Sequence, residues 1–221
     1  MSRLAEARVA YFSMEVALAS YIPTYSGGLG VLAGDMLRAA ADLRVPMVGV
    51  TLVHRHGYLD QELDESGSQT ERPAPWTPEA WTTPLEPRVS LQLEGREIWV
   101  RAYAYELKGA TSDSIWVLLL DTDLPENSEQ DRALSNYLYG GDSRYRLMQE
   151  AVLGIGGVRM LRALGCNKLD RFHMNEGHAA LLALELVDEA TRAAGRPDVD
   201  QPALERARRL CVFTTHTPVA A

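Results

Sequence analysis

Short apolar runs alternate with amphipathic stretches along this chain, and the two periods predict strands and helices in turn. Val9-Ala10-Tyr11-Phe12-Ser13 is apolar and aromatic, which predicts a buried strand. A loop rich in Pro, Tyr, Ser and Gly follows over 21–28. Leu32, Met36, Leu37, Ala40 and Leu43 then recur at helical spacing, predicting an amphipathic helix over 29–43. Pro46 introduces a second apolar strand, Met47-Val48-Gly49-Val50-Thr51-Leu52-Val53. Strand, glycine loop, helix, strand is a βαβ unit, and such units build parallel sheets.

Further along, 57–63 is a candidate strand. Residues 72–87 hold five prolines and two tryptophans and predict an irregular surface excursion. Two β-rich segments, 97–107 and 114–121, read as an antiparallel pair added to the parallel core. A helix is expected over 145–164, stopped by Gly165, then a strand at 171–174, helices at 177–194 and 202–209, and a strand at 210–215. The fold class expected is α/β: a Rossmann-like, mainly parallel sheet with flanking helices and an added antiparallel β pair. Residues 1–221 are expected to form a single domain, and its ligands should bind beyond the carboxyl ends of the strands.

Composition narrows the function. Apolar residues are 46% and charged residues 24%, an ordinary globular balance. Acidic residues outnumber basic ones, 30 to 22, and no basic cluster suggests nucleic-acid binding. No apolar segment is long enough for a membrane span and no secretory leader is evident, so a cytoplasmic protein is expected. Cys166 and Cys211 are isolated, as expected of thiols in a reducing compartment.

Candidate chemistry sits in three stretches. Ser26-Gly27-Gly28-Leu29-Gly30 opens a helix whose first amides lack internal partners, which suits an anion such as a phosphate. It is neither the dinucleotide fingerprint nor a Walker loop. A tight loop that merely turns the chain into its helix fits the same residues, and both readings stand. In Tyr139-Gly140-Gly141-Asp142-Ser143, Asp142 suits a helix cap. In His173-Met174-Asn175-Glu176-Gly177-His178 the spacing is not that of a zinc motif, so no metal is expected.

Together these stretches, with Val9-Ala10-Tyr11-Phe12-Ser13-Met14-Glu15 ahead of them, resemble the glycogen and maltodextrin phosphorylases, in their shorter bacterial and archaeal branch. The resemblance is to the N-terminal portion, one half of a GT-B architecture. It implies an enzyme that releases glucose 1-phosphate from an α-1,4-glucan with inorganic phosphate. Gly28 is then the phosphate contact, Leu29 the sugar contact, and Gly27 and Gly30 shape the loop. His178 is implied to hold a sugar hydroxyl through its main-chain carbonyl, Asn175 to orient that turn, and Asp142 to be a gate residue rather than a proton donor. Glu15 matches an acid near the active centre, and a purely structural carboxylate fits it as well. Val16-Ala17 departs from the family's usual aromatic-containing pair, so packing there can differ. Thr214-Thr215-His216-Thr217-Pro218-Val219 resembles a further family segment.

The resemblance implies pyridoxal phosphate in the complete enzyme, bound through a lysine of a C-terminal domain that this chain lacks. Neither Lys108 nor Lys168 matches that lysine, so no covalently bound cofactor and no activity are expected of the chain alone. An uncovered cleft face would favour a homo-oligomer. The alternatives are a sugar-nucleotide glycosyltransferase fragment of the glycogen synthase kind, a non-catalytic glucan-binding module, and a truncated structural fragment.

Overall fold

The computed structural model describes residues 4–111 and 113–216. In chain order, β1 (Val9–Phe12) leads through a loop into helix α1 (Gly28–Asp42) and back as β2 (Met47–Leu52). A small hairpin of β3 (Asp60–Leu63) and β4 (Gln69–Arg72) stands apart from the main sheet, so the strand expected near 57–63 does not extend the core. The proline-rich excursion carries a 3₁₀ turn at Pro78–Ala80 and the short β5 (Thr83–Pro84), and it is tied down: the Trp76 indole donates to the carbonyls of Val53 and His54, at 3.2 and 3.0 Å.

Next come β6 (Val89–Leu93), β7 (Arg96–Lys108) and β8 (Ser114–Asp121), followed by the short helix α2 (Glu129–Arg132). Helix α3 (Ser143–Ala151) and helix α4 (Gly157–Ala163) replace the single helix expected over 145–164. A π-helical turn at Val152–Gly156 joins them. Gly165, at φ +81°, ends this run as a left-handed C-terminal residue. After β9 (Arg171–Asn175), the expected helix over 177–194 divides into a 3₁₀ turn at Gly177–Ala179 and helix α5 (Leu182–Ala193). Helix α6 (Gln201–Leu210) is capped by Asp200, whose carboxylate accepts from the Ala203 amide at 2.9 Å, and β10 (Cys211–Thr214) closes the described chain. The expected Thr217-Pro218-Val219 segment lies outside the described residues.

The main sheet runs β10-β9-β1-β2-β8-β7-β5, with β6 also paired to β7. From β10 to β8 every pairing is parallel. β7 lies antiparallel to β8, with Ala102 opposite Leu120, as its β-rich sequence predicts. Strand alternation sorts the core into two layers. Ala10, Phe12, Val50, Leu118 and Leu120 face α3, α4 and α5, where they meet Val152, Leu153, Val158 and Leu182. Tyr11, Val117 and Leu119 face α1 and meet its Ala33, Leu37, Ala40 and Ala41, which recur at helical spacing. Each fully buried Val, Leu or Phe among them contributes about 1.5–3 kcal/mol relative to exposure.

This order has a reversal in it. From β1 the chain builds outward through β2 and β8, and later fills the other side of β1 with β9 and β10. Loops leaving β1 and β9 therefore depart in different directions, opening a crevice at the carboxyl ends of those two strands.

Candidate functional site

A cavity of about 890 Å³ occupies that crevice. Met14 enters it from the end of β1, Leu29 from the start of α1, and Tyr139 from the turn before α3. Arg146, Gln149 and Glu150 of α3 line another wall, with Glu176, Gly177 and His178 after β9 and Phe213 of β10. A smaller cavity of about 250 Å³ lies at the amino ends of β2 and β8, around the Arg44–Asp113 ion pair, and brings together none of the expected residues.

The glycine loop is organised by a carboxylate. Glu15 is buried, and its Oε2 accepts from the amides of Ser26 and Gly27, at 2.8 and 3.2 Å. Its Oε1 accepts from the Tyr139 hydroxyl at 2.9 Å. Helix α1 starts directly after, capped by Gly27 without any side-chain hydrogen bond. The amides of Gly28, Leu29 and Gly30 belong to the first turn and have no carbonyl four residues back to bond. The helix dipole adds roughly half a positive charge there. The glycines differ in what their missing side chains allow. Around Gly27 and Gly28 the space is open, whereas a Cβ on Gly30 would meet Tyr25 Cβ at 2.5 Å and Glu15 Oε2 at 2.7 Å. Gly28 is free for close approach, and Gly30 is filled in by its neighbours.

The turn after β9 is built on a buried amide. Asn175 donates from Nδ2 to Ser13 Oγ at 3.1 Å, and its Oδ1 meets His216 Nε2 at 2.9 Å. Ser13 in turn donates to the Glu15 carbonyl at 2.7 Å, so one chain of bonds links the ends of β1, β9 and β10. Glu176 follows at φ +66°, a left-handed conformation that strains a residue with a side chain. Its amide donates to the Thr214 carbonyl at 2.9 Å, and its carboxylate accepts from the His216 amide. His178 sits beyond, its ring 5.6 Å from that of Tyr139, with Nδ1 buried and without a partner among the described residues.

Burial dominates the titration of these groups. It lowers the His178 imidazole below its usual value, against the opposing pull of Glu176 and Glu15. It raises the Tyr139 phenol, with the Glu15 charge adding to the effect, and it raises Glu150. At neutral pH the wall around His178 therefore offers a neutral imidazole and a protonated phenol. Neutral groups that both donate and accept suit sugar hydroxyls. Arg146 supplies positive charge on the facing wall.

Of the residues expected from sequence, Leu29 and His178 border one cavity, Gly27, Gly28 and Gly30 lie beside Leu29, and Glu15 and Asn175 stand behind the walls. Asp142 does not border it. Its Oδ1 accepts from the Tyr145 amide at 2.8 Å, the capping bond its residue type suggests, and it faces a separate cavity of about 270 Å³ with Gly141 and Arg144. Tyr139, Arg146, Glu150 and His216 are brought in by the fold without a signal of their own. Among the described residues no group of three or more His, Cys, Asp or Glu is placed to hold a metal, and no helix is long and apolar enough to cross a membrane.

The fold defines an α/β protein of the doubly wound kind, with a crevice where its strand order reverses. No protein-family model matches the chain. Individual proteins do. A glycogen phosphorylase of Mycobacterium tuberculosis is 43% identical over 225 aligned positions, covering 96% of this chain and 25% of that protein. A maltodextrin phosphorylase of Thermococcus litoralis is 36% identical over 98% of the chain and 26% of its own length. A glycogen phosphorylase of Aquifex aeolicus is 32% identical over 96% of the chain and 30% of its own length. The chain is a homologue of the glycogen and maltodextrin phosphorylases, and it spans 25–30% of the length of these three relatives.

Proposed function

We propose that this chain is the N-terminal part of an α-glucan phosphorylase, and that its residues supply one wall of a site where inorganic phosphate cleaves a terminal α-1,4-linked glucose to glucose 1-phosphate. The observation that carries this reading is that Leu29, in the first turn of α1, and the His178 turn line one cavity. An anion at Gly28, Leu29 and Gly30 would stand beside a sugar ring packed on Leu29. Fixed amide dipoles of this kind act most strongly where charge develops, because they need no reorganisation during the reaction.

In this reading Glu15 holds the glycine loop in shape and Asn175 holds the His178 turn, through the bonds described above. The neutral His178 ring and its main chain address sugar hydroxyls. Asp142 belongs to a gate, a role supported by its place after Gly140 and by Gly141 at φ +66°, in an exposed turn. Arg146 favours the phosphate or its ester over neutral sugars. The domain 1–221 would be the first of two that face each other in a GT-B arrangement.

Pyridoxal phosphate would serve in the complete enzyme as a source of a phosphate group for proton transfer. The residues present do not fit it as a Schiff base: the chain's lysines, Lys108 and Lys168, both lie outside the cavity lining. No step assigned here passes through that group.

The test is phosphate-dependent release of glucose 1-phosphate from maltoheptaose. This chain is combined with the separately produced C-terminal portion of a phosphorylase carrying pyridoxal phosphate, and compared with that portion alone. Activity that needs both parts is expected. Binding of a nucleoside diphosphate glucose by the chain, with none of maltoheptaose, phosphate or glucose 1-phosphate, overturns the reading in favour of a sugar-nucleotide enzyme.

A further inference from the structure

Tyr139 has no role in the reading above, yet its geometry sets it apart. It is a bulky residue at φ +55°, a conformation that persists only when the surroundings enforce it. Two enforcing contacts are visible. The phenol donates to Glu15 Oε1 at 2.9 Å, across 124 residues of sequence, and the ring contacts those of Tyr58, at 6.5 Å, and His178, at 5.6 Å. The turn carrying it is otherwise anchored at its ends, by the Leu138 amide on the Gly57 carbonyl at 3.0 Å and by the Asp142 cap of α3. Between these anchors lie Gly140 and Gly141, packed against Tyr137 and Tyr145, and the phenol ties the middle of the turn to the glycine loop.

We propose that Tyr139 is a positioning residue, whose hydroxyl latches the 138–142 turn onto the Glu15-bound glycine loop so that the two move as one. The same carboxylate serves both sides. Oε2 holds Ser26 and Gly27, which set the start of α1, and Oε1 holds Tyr139, which sets the wall against His178. Breaking the latch frees one oxygen of a buried carboxylate and lets Glu15 rotate away from the loop amides. A ligand needing both walls would then meet them out of register. The consequence for ligands rests on the phosphorylase reading, while the latch itself does not.

The experiment compares wild type with Tyr139→Phe, which keeps the ring and removes the donor. Amide hydrogen exchange is followed by NMR, and maltoheptaose serves as the titrated probe. Because a hydrogen bond to a charged group is lost, protection at Ser26 and Gly27 should fall about 10-fold, with exchange at Ala10 and Tyr11 within about 2-fold of wild type. Maltoheptaose affinity should weaken about 5-fold, a loss that ring packing alone would not produce. In a Glu15→Gln background, where the acceptor is uncharged, the effect of Tyr139→Phe on exchange should shrink below about 3-fold. Unchanged protection at Ser26 and Gly27, an equal fall across the whole sheet, or an undiminished effect with Glu15→Gln would each overturn the latch. Wild-type protein that ignores maltoheptaose while Tyr139→Phe loosens the loop as expected would keep the latch and remove the glucan assignment.

Discussion

Replacing Gly30 with alanine adds one methyl group to the most tightly enclosed point of the glycine loop. The new carbon would lie 2.5 Å from Tyr25 Cβ and 2.7 Å from Glu15 Oε2. Carbon atoms prefer separations of about 3.5–4.0 Å, so something must move by about 1 Å. Tyr25 Cβ is fixed to its backbone and cannot swing away. Glu15 can, but only by releasing the Ser26 and Gly27 amides and the Tyr139 hydroxyl. Overpacking costs about 1–3 kcal/mol, and loss of a charge-assisted bond about 1.5–3 kcal/mol. Against these stands a gain of up to about 1 kcal/mol from alanine's helix propensity. The net is a destabilisation of about 1.5–6 kcal/mol, or a melting point lower by about 3–24 °C for a chain of this size. Gly28→Ala is the control. Nothing lies within 4 Å of its added carbon, and stability should stay within about 0.5 kcal/mol of wild type. Urea denaturation followed by far-ultraviolet circular dichroism measures both. Gly30→Ala as stable as wild type, or Gly28→Ala the worse of the two, would refute the packing argument.

Three further outcomes follow from the same reasoning. His54 is fully buried at φ +44°, donates from Nε2 to the Met14 carbonyl at 2.8 Å, and is lowered to a pKa of about 4 by burial. Its unfolded form takes up a proton first, so its share of stability is complete above pH 6.5 and is lost as pH falls toward 4, on the order of 3 kcal/mol in all. His54→Asn, a residue that tolerates left-handed backbone, should flatten that part of the stability–pH curve, and identical curves would count against it. Asp142→Ala should cost about 1 kcal/mol of unfolding free energy and Asp142→Asn a few tenths, since asparagine also caps; a large loss with asparagine would point to a charge requirement instead. Asp121 is buried and receives Arg55 at 2.7 Å and Arg101 at 2.8 Å, so Asp121→Ala, which removes the buried carboxylate these two guanidinium groups share, should cost about 3–5 kcal/mol by the same denaturation assay.

Much of the sheet was legible because its strands are covered on both faces and therefore read as unbroken apolar runs, as in Met47–Leu52. Helix α1 declared itself through the spacing of Leu37 and Ala40, and the expected start at Leu29 differs from Gly28 by one residue. β6 was not expected, although Val89, Leu91 and Leu93 alternate with polar residues. Glu94 and Gly95, both at positive φ, then form the two-residue turn into β7. The nearby prolines obscured that signal. The π-helical turn had no signal at all, because it is set by contact across the fold: a Cβ on Gly154 would meet the Leu182 amide nitrogen at 2.5 Å. At the site, glycines and a capping aspartate advertise themselves through residue type. Tyr139 does not, because an aromatic residue in a loop reads as packing, and its partner Glu15 lies far away in sequence. Arg146 is one arginine among many until the fold turns it toward the cavity.

The π-helical turn fixes more than the path of the chain. Each residue advances a helix by about 100°, and a π turn accommodates one residue beyond the α-helical count. Upstream of it, Arg146, Gln149 and Glu150 look into the crevice, while downstream Val158 and Leu161 look into the core. Deleting a single residue from Val152–Gly156 would give a straighter and locally more regular helix, and would swing one of those faces by a quarter turn. Hydrogen bonding would improve while either the crevice or the core lost its lining, so the length of this segment is held by geometry as firmly as its buried side chains are.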